Sequence, residues 1–251
     1  YEQDRSEVLD FLNSTDILIT NFKFGDAEKF GFAYNQLKTQ FPKLIVGEIG
    51  GFSIDKTRVA YDVVLQAETG FMSMNGNAES GPIKIPVAMM DLLAAHQLKE
   101  GLLVALLQRG KTGSGSNVVV TLEDAGIASL ANQASNYLMN GNVAKPIGSL
   151  HPNIAPYGDT FKCLENKPIV LAIGSDVQFA KLCLYLGKRN LATDIRFQDN
   201  QSRLVNRKEL QEELSALFAS VDRDGLLKKL HKDNVPAAAI KDLKEVLDGL
   251  V

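Results

Sequence analysis

Two short, uninterrupted apolar runs, Ile17-Leu-Ile-Thr20 and Leu44-Ile-Val46, most constrain what this chain can fold into. A strand covered on both faces reads as a continuous apolar run, because neither row of its side chains meets water. The second run continues to Gly50-Gly51, and helical patterns separate the two: Asp26 to Phe30, then Tyr34 to Gln40, which stops near Pro42. Strand, helix and strand make a βαβ unit and predict a parallel α/β sheet. Between the first strand and the first of these helices lies Asn21-Phe-Lys-Phe-Gly25. Free amides at such a turn can hold an anion, although an ordinary loop is the simpler reading of those residues alone.

The chain next begins a helix at Arg58-Val-Ala-Tyr61-Asp62 and crosses a loop rich in Gly and Asn, Gly70 to Gly81. It then reaches the stretch around which the rest is organised, Ile85 to Arg109, where Leu92, Ala95, Leu98, Leu102, Leu103, Leu106 and Leu107 recur at helical spacing. Asp91 stands where the extended approach through Pro86 gives way to that helix. It reads as an N-cap, accepting first-turn N–H groups, or as a carboxylate kept ionised at the positive end of a helix beside a cleft. Both readings stay open at this point. Gly101, inside the helix, costs about 1 kcal/mol against Ala and predicts a close backbone approach. The segment Arg109-Gly-Lys-Thr-Gly-Ser-Gly115 is not a phosphate loop, since Ala105 stands where the first glycine belongs. A helix also precedes it and a strand, Asn117 to Leu122, follows, so it is assigned as a C-cap and turn.

Asp124 to Met139 reads as a helix, with Glu123 and Asp124 capping its start. Lys145 to Tyr157, with Pro146, Gly148, Pro152 and Pro156, is irregular and marks the expected boundary. Phe161-Lys-Cys and Ile169 to Ile173 follow as an antiparallel pair, then helices over Asp176–Leu186, Asn206–Phe218 and Gly225–His231. A short extended segment from Asn234 and a last helix, Leu243 to Leu250, complete what reads as a smaller α+β unit. The 251 residues are 45% hydrophobic, enough for a sizeable core, with net charge −3 and no Trp. No basic stripe for nucleic acid or membrane is visible, and the apolar run from Gly101 to Leu107 is far too short to span a bilayer. Cys163 and Cys183 form no metal pattern, and two thiols in this length point to a reduced, cytoplasmic protein. The first residue is Tyr1, inside a charged helical pattern, and the chain is expected to be a fragment.

Five motifs stand in order along the chain. They are Asn21-Phe22-Lys23-Phe-Gly25 with Lys29-Phe-Gly31, Arg58-Val59-Ala60-Tyr61-Asp62, Val87-Ala-Met-Met-Asp91, Arg109-Gly-Lys-Thr-Gly-Ser-Gly115, and His151-Pro-Asn-Ile-Ala-Pro-Tyr157. Together they resemble the class III CoA-transferases, which include formyl-CoA transferase and carnitine CoA-transferases, with α-methylacyl-CoA racemase as a relative. The resemblance implies a Rossmann-like parallel-sheet large domain, incomplete at both ends here, with a smaller α+β domain. Residues 1–145 would be the large CoA-binding domain, 146–240 the small domain, and 241–251 the start of a return to the large one. It also implies that Asp91 is the nucleophile that moves CoA from an acyl-CoA to a carboxylic acid, through an aspartyl anhydride and an aspartyl-CoA thioester. Asn21, Phe22 and Lys23 would lie beside coenzyme A, Lys29 near its phosphates, and Arg58, Val59, Ala60 and Tyr61 along its pantetheine or diphosphate. An interlocked homodimer is implied, and no metal.

Departures narrow the expectation. The racemase branch carries His where this chain has Tyr61, and a phenol with a pKa near 10 is a poor α-carbon base, so transfer is favoured. A racemase or epimerase, or a CoA-binding module without catalysis, remain the alternatives. No glycine-rich substrate loop lies between Gly141 and Lys167, which counts against formyl-CoA and oxalate. His96, five residues after Asp91 and about 140° round the helix, is expected to pack or hydrogen-bond rather than act. His151 reads as structural at least as well as substrate-contacting.

Overall fold

The computed structural model describes residues 2–250. They part into two compact units that divide between Gly148 and Ser149. In the first, α1 (Glu2–Leu12) leads to β1 (Ile17–Thr20), two short helices, α2 (Asp26–Phe30) and α3 (Tyr34–Leu37), and β2 (Ile45–Gly50). Next come α4 (Asp62–Glu68), α5 (Phe71–Met74) and a minimal ribbon, β3 (Gly76–Asn77) with β4 (Gly81–Pro82). The long α6 (Met89–Thr112), β5 (Asn117–Thr121), α7 (Leu122–Ala128) and α8 (Ala131–Asn140) complete the unit.

β1, β2 and β5 form a parallel sheet in the order β1-β2-β5, with Ile17 opposite Ile45 and Val46 opposite Asn117. Adjacent residues of β2 face opposite sides, so the two faces fill differently. Ile45 packs with Leu98, Leu102 and Ala105 of α6, whereas Val46 joins Leu12, Leu37, Phe41 and Leu44 beneath α1 and α3. The parallel α/β expectation therefore holds. A Cβ on Gly101 would lie 2.6 Å from Val118 Cγ1, which is the close approach its helical position implied.

Five boundaries differ from the sequence reading. Arg58 to Tyr61 is not helical; α4 starts at Asp62, with Tyr61 in an extended conformation as its N-cap. α3 ends at Leu37, and the supposed loop Gly70 to Gly81 contains α5 and the ribbon. The helix read over Asp124 to Met139 is two helices. It breaks because the Ser129 hydroxyl and amide both donate to the Ala125 carbonyl, at 2.7 and 3.2 Å, and Ala131 then takes a positive φ of 49°. α6 runs through Arg109, Gly110 and Lys111 before Gly113, in the left-handed region, caps it.

The second unit holds β6 (Tyr157–Lys162), β7 (Pro168–Ala172), α9 (Asp176–Tyr185), α10 (Asn200–Val205), α11 (Arg207–Phe218), α12 (Arg223–Lys232), β8 (Ala237–Ala239) and α13 (Leu243–Leu247). Its sheet is antiparallel in the order β6-β7-β8. The core gathers Ile169, Leu171, Phe179, Leu182, Leu214 and Phe218, with Cys163 and Cys183 as buried free thiols. Burial pushes the Cys183 thiol up to about 12, so it stays protonated and inert. Buried Asp159 accepts Arg207 Nη2 at 2.6 Å, and the same guanidinium donates to the carbonyls of His151 and Tyr157. Among the described residues no helix is long and apolar enough to cross a membrane.

Candidate active site

Arg109 fixes the direction of α6 on the sheet. Its Nη1 donates to the carbonyls of Asp16 and Lys43 at 3.2 Å each, and its Nη2 meets the Asp16 carboxylate at 2.9 Å. Both residues precede strands, so the end of α6 lies at the amino edge of the sheet. The helix, 24 residues and about 36 Å long, must then begin at the carboxyl edge. That edge is where open parallel sheets bind ligands, because strands end and loops begin there.

The sequence-predicted residues distribute over that edge. Asn21, Phe22 and Lys23 leave the end of β1 and are all exposed, Phe22 making ring contacts with Phe30 and Phe32 at 5.9 and 6.5 Å. Lys29, on α2, holds its ammonium 5.4 Å from the Phe30 ring centre. The segment from Gly51 to Tyr61 leaves the end of the neighbouring β2, with Val59 and Tyr61 exposed and Ala60 packed on the Phe52, Leu65 and Met90 cluster. Arg58 is engaged already: its guanidinium lies 4.0 Å from the Phe52 ring centre and forms a two-pronged ion pair with Glu68. A phosphate would have to compete with that carboxylate.

Asp91 is the third residue of α6, not its cap. The backbone at Ala88 starts the helix, and the Met90 amide is satisfied from outside, by Asp62 Oδ1 at 2.7 Å. Asp91 is exposed, and among the described residues its carboxylate accepts no hydrogen bond and forms no ion pair. Its pKa is raised above the usual carboxylate value, first because neighbouring atoms strip water from it and then by repulsion from Asp62. This corrects the sign of the sequence argument: the helix terminus favours the anion, but desolvation and the like charge prevail. An unpaired carboxylate is a better nucleophile than one bound by donors, and a higher pKa raises its basicity further.

Other candidates have ordinary roles. His96 Nδ1 is 3.1 Å from Lys99 Nζ, and His151 Nδ1 receives the Asn153 amide at 3.1 Å while its ring meets Tyr157 edge-on. Glu123 does not cap α7; it accepts the Ser53 amide and hydroxyl at 2.9 and 2.7 Å, and Thr121 caps instead through the Asp124 amide. Sequence reasoning placed Asp62 in a motif without giving it a role and overlooked Gln66. Their signal was a polar pair at i and i+4 on a helix otherwise apolar around Leu65, with Gln66 fully buried.

A profile of CoA-transferase family III matches residues 1–249. The chain belongs to CoA-transferase family III. Among curated members, it is 32% identical over 243 residues to a succinate–glutarate CoA-transferase of Agrobacterium fabrum, covering 94% of this chain and 59% of that protein. It is 31% identical over 248 residues to an acetyl-CoA:oxalate CoA-transferase of Acetobacter aceti, covering 97% and 63%. Among solved structures, a CAIB/BAIF family protein from Brucella suis superposes with a TM-score of 0.92 at 36% identity, covering 99% of this chain and 66% of that one. Rv3272 from M. tuberculosis gives 0.82 at 26%, covering 99% and 66%. This family III chain thus spans 59% and 63% of the length of those two curated relatives.

Proposed function

We propose that this chain carries the nucleophile of a CoA-transferase, with Asp91 accepting CoA from an acyl-CoA and a carboxylic acid taking it away. The observation that carries the reading is the Asp91 carboxylate itself, exposed and unpaired at the start of α6 on the carboxyl edge of a parallel sheet. Family membership and the names of the relatives support it.

The carboxylate attacks the acyl-CoA thioester, forming an aspartyl mixed anhydride and releasing CoA thiolate. The thiolate attacks the aspartyl carbonyl, leaving an aspartyl-CoA thioester and freeing the donor acid. The acceptor carboxylate attacks that thioester, again expelling thiolate, which takes the acceptor acyl group and restores Asp91. Every step exchanges bonds of similar energy, so no external energy source is required. A base on the substrate α-carbon has no part in this sequence, and Tyr61, exposed beside Asp62, suits a binding role better.

Residues 1–145 are assigned to CoA binding. Lys23 and Lys29 would supply cationic donors, Asn21 amide contacts, Phe22 an apolar surface, and the Arg58 to Tyr61 segment the adjoining wall. The acceptor is proposed to be a short dicarboxylic acid, such as the succinate and glutarate in the name of the Agrobacterium fabrum relative. An interlocked homodimer is proposed for the whole protein, and light scattering that returned a monomer mass would contradict it. The decisive test of function is Asp91→Ala in the whole protein. Transfer is expected to fall about a thousandfold or more with circular dichroism unchanged, and near wild-type turnover would refute the mechanism.

A further inference from the structure

The start of α6 has few local restraints. Ala88 has no side chain that can cap, Pro86 has no N–H, and the segment before the helix is neither strand nor helix. A helix start of this kind leaves its first amides short of partners and its first turn free to fray. The local bond here is from the Met89 amide to the Val87 carbonyl, at 2.8 Å. Here the restraint comes from α4. Asp62 Oδ1 accepts the Met90 amide at 2.7 Å, and Oδ2 accepts Gln66 Nε2 at 2.6 Å. Gln66, fully buried one turn along the same face, accepts the Ile85 amide at 2.7 Å and reaches the carbonyls of Ile85 and Val87 at 3.3 Å each. Two side chains of α4 therefore hold the backbone from residue 85 to residue 90, ending one peptide before Asp91.

We propose that Asp62, locked by Gln66, is a positioning residue for Asp91, fixing the first turn of α6 and setting the electrostatic environment of the nucleophile. The inference rests on the assignment of Asp91 as nucleophile. Charged groups on the elements packed against α6 are Glu48 of β2, Asp62 and Glu68 of α4, and Glu123 and Asp124 of α7, while β5 contributes none. Glu68 is paired with Arg58, Glu123 with Ser53 and Asp124 with Thr121. Asp62 is the group whose charge acts on the Asp91 carboxyl. With its charge removed, Asp91 ionises at lower pH.

Two variants of the whole protein separate geometry from charge. Asp62→Ala removes the restraint on Met90 and is expected to lower kcat about 10- to 100-fold, the cost of a small displacement of a reacting group, with CoA affinity by calorimetry unchanged. Asp62→Asn keeps an acceptor for the Met90 amide and removes the charge. It should recover most of the lost rate and move the acidic limb of the kcat/KM pH profile to lower pH, which a purely structural role would not do. Asp91→Asn serves as the control. If that control keeps wild-type turnover, the functional reading fails. If the control is inactive but Asp62→Ala and Asp62→Asn both keep the wild-type rate and acidic limb, this inference alone is overturned. Should Asp62→Ala not fold, the acidic limb of Asp62→Asn decides: a downward shift supports the proposal and an unmoved limb overturns it.

Discussion

Asp91 is a residue whose charge is unwelcome where it stands. Its folded-state pKa lies above the ordinary value, so ionisation costs more in the native state than in the unfolded chain. Any stability this carboxyl contributes is present in its protonated form, below the unfolded pKa, and is lost as pH rises through the raised folded pKa. Asp91→Asn should therefore melt about 1–2 °C higher than wild type at pH 7, a small effect because the group is exposed. The difference should vanish at pH 3, and a melting temperature unchanged or lowered at pH 7 would contradict the electrostatics described. Asp91 could be found in the sequence because an acidic residue at a change from extended to helical pattern stands out. Its sign of titration could not, because the opposing charge is Asp62, 29 positions earlier, brought close only by the packing of α4 on α6. Arg58 was legible as a cation, but its commitment to Glu68 depended on where α4 starts.

At the scale of elements, α6 supplies a controlled comparison between two glycines of one helix. A methyl group at Gly101 would meet Val118 at 2.6 Å, whereas at Gly110 it would meet nothing within 4 Å. Gly110→Ala should stabilise the protein by about 1 kcal/mol through helix propensity. Gly101→Ala gains the same propensity but overfills the space against β5, at a cost of about 1–3 kcal/mol, for a net loss of about 1 kcal/mol. Urea midpoints for both variants check the pair, and a stabilising Gly101→Ala would mean that α6 and β5 pack less closely than described. Strand β1, its parallel pairing with β2 and the run of α6 were readable from their apolar patterns. The covered faces were not: Ile19 of edge strand β1 and Leu92, Leu103 and Leu107 of α6 are exposed, while Met90, Ala94 and Ala105 join Leu98 and Leu102 in the covered face of α6. Nor were the breaks, because the end of α7 is set by the Ser129 hydroxyl competing for the Ala125 carbonyl, a local contest invisible to periodicity. α10 was missed for a related reason. Its cap, Asp199 accepting the Ser202 amide at 2.8 Å, is a single short-range bond, and buried Arg203 interrupts the apolar pattern.

For the whole molecule, each of the two compact units has its own hydrophobic core, and residues 141–150 are mostly exposed and without helix or strand. Limited trypsin or subtilisin digestion should cut there first and leave two resistant fragments, and first cuts inside β2 or β7 would contradict that division. In the second unit, Asp159→Ala strands a largely buried guanidinium and should cost about 3–5 kcal/mol in urea unfolding, whereas a loss below about 1 kcal/mol would show the Arg207 pair to be dispensable. The central claim concerns one covalent bond. Incubating the whole protein with an acyl-CoA, quenching with hydroxylamine and mapping the peptides by mass spectrometry should give a hydroxamate at Asp91 and at no other carboxylate. A protein that transfers CoA while Asp91 remains unmodified would contradict the account.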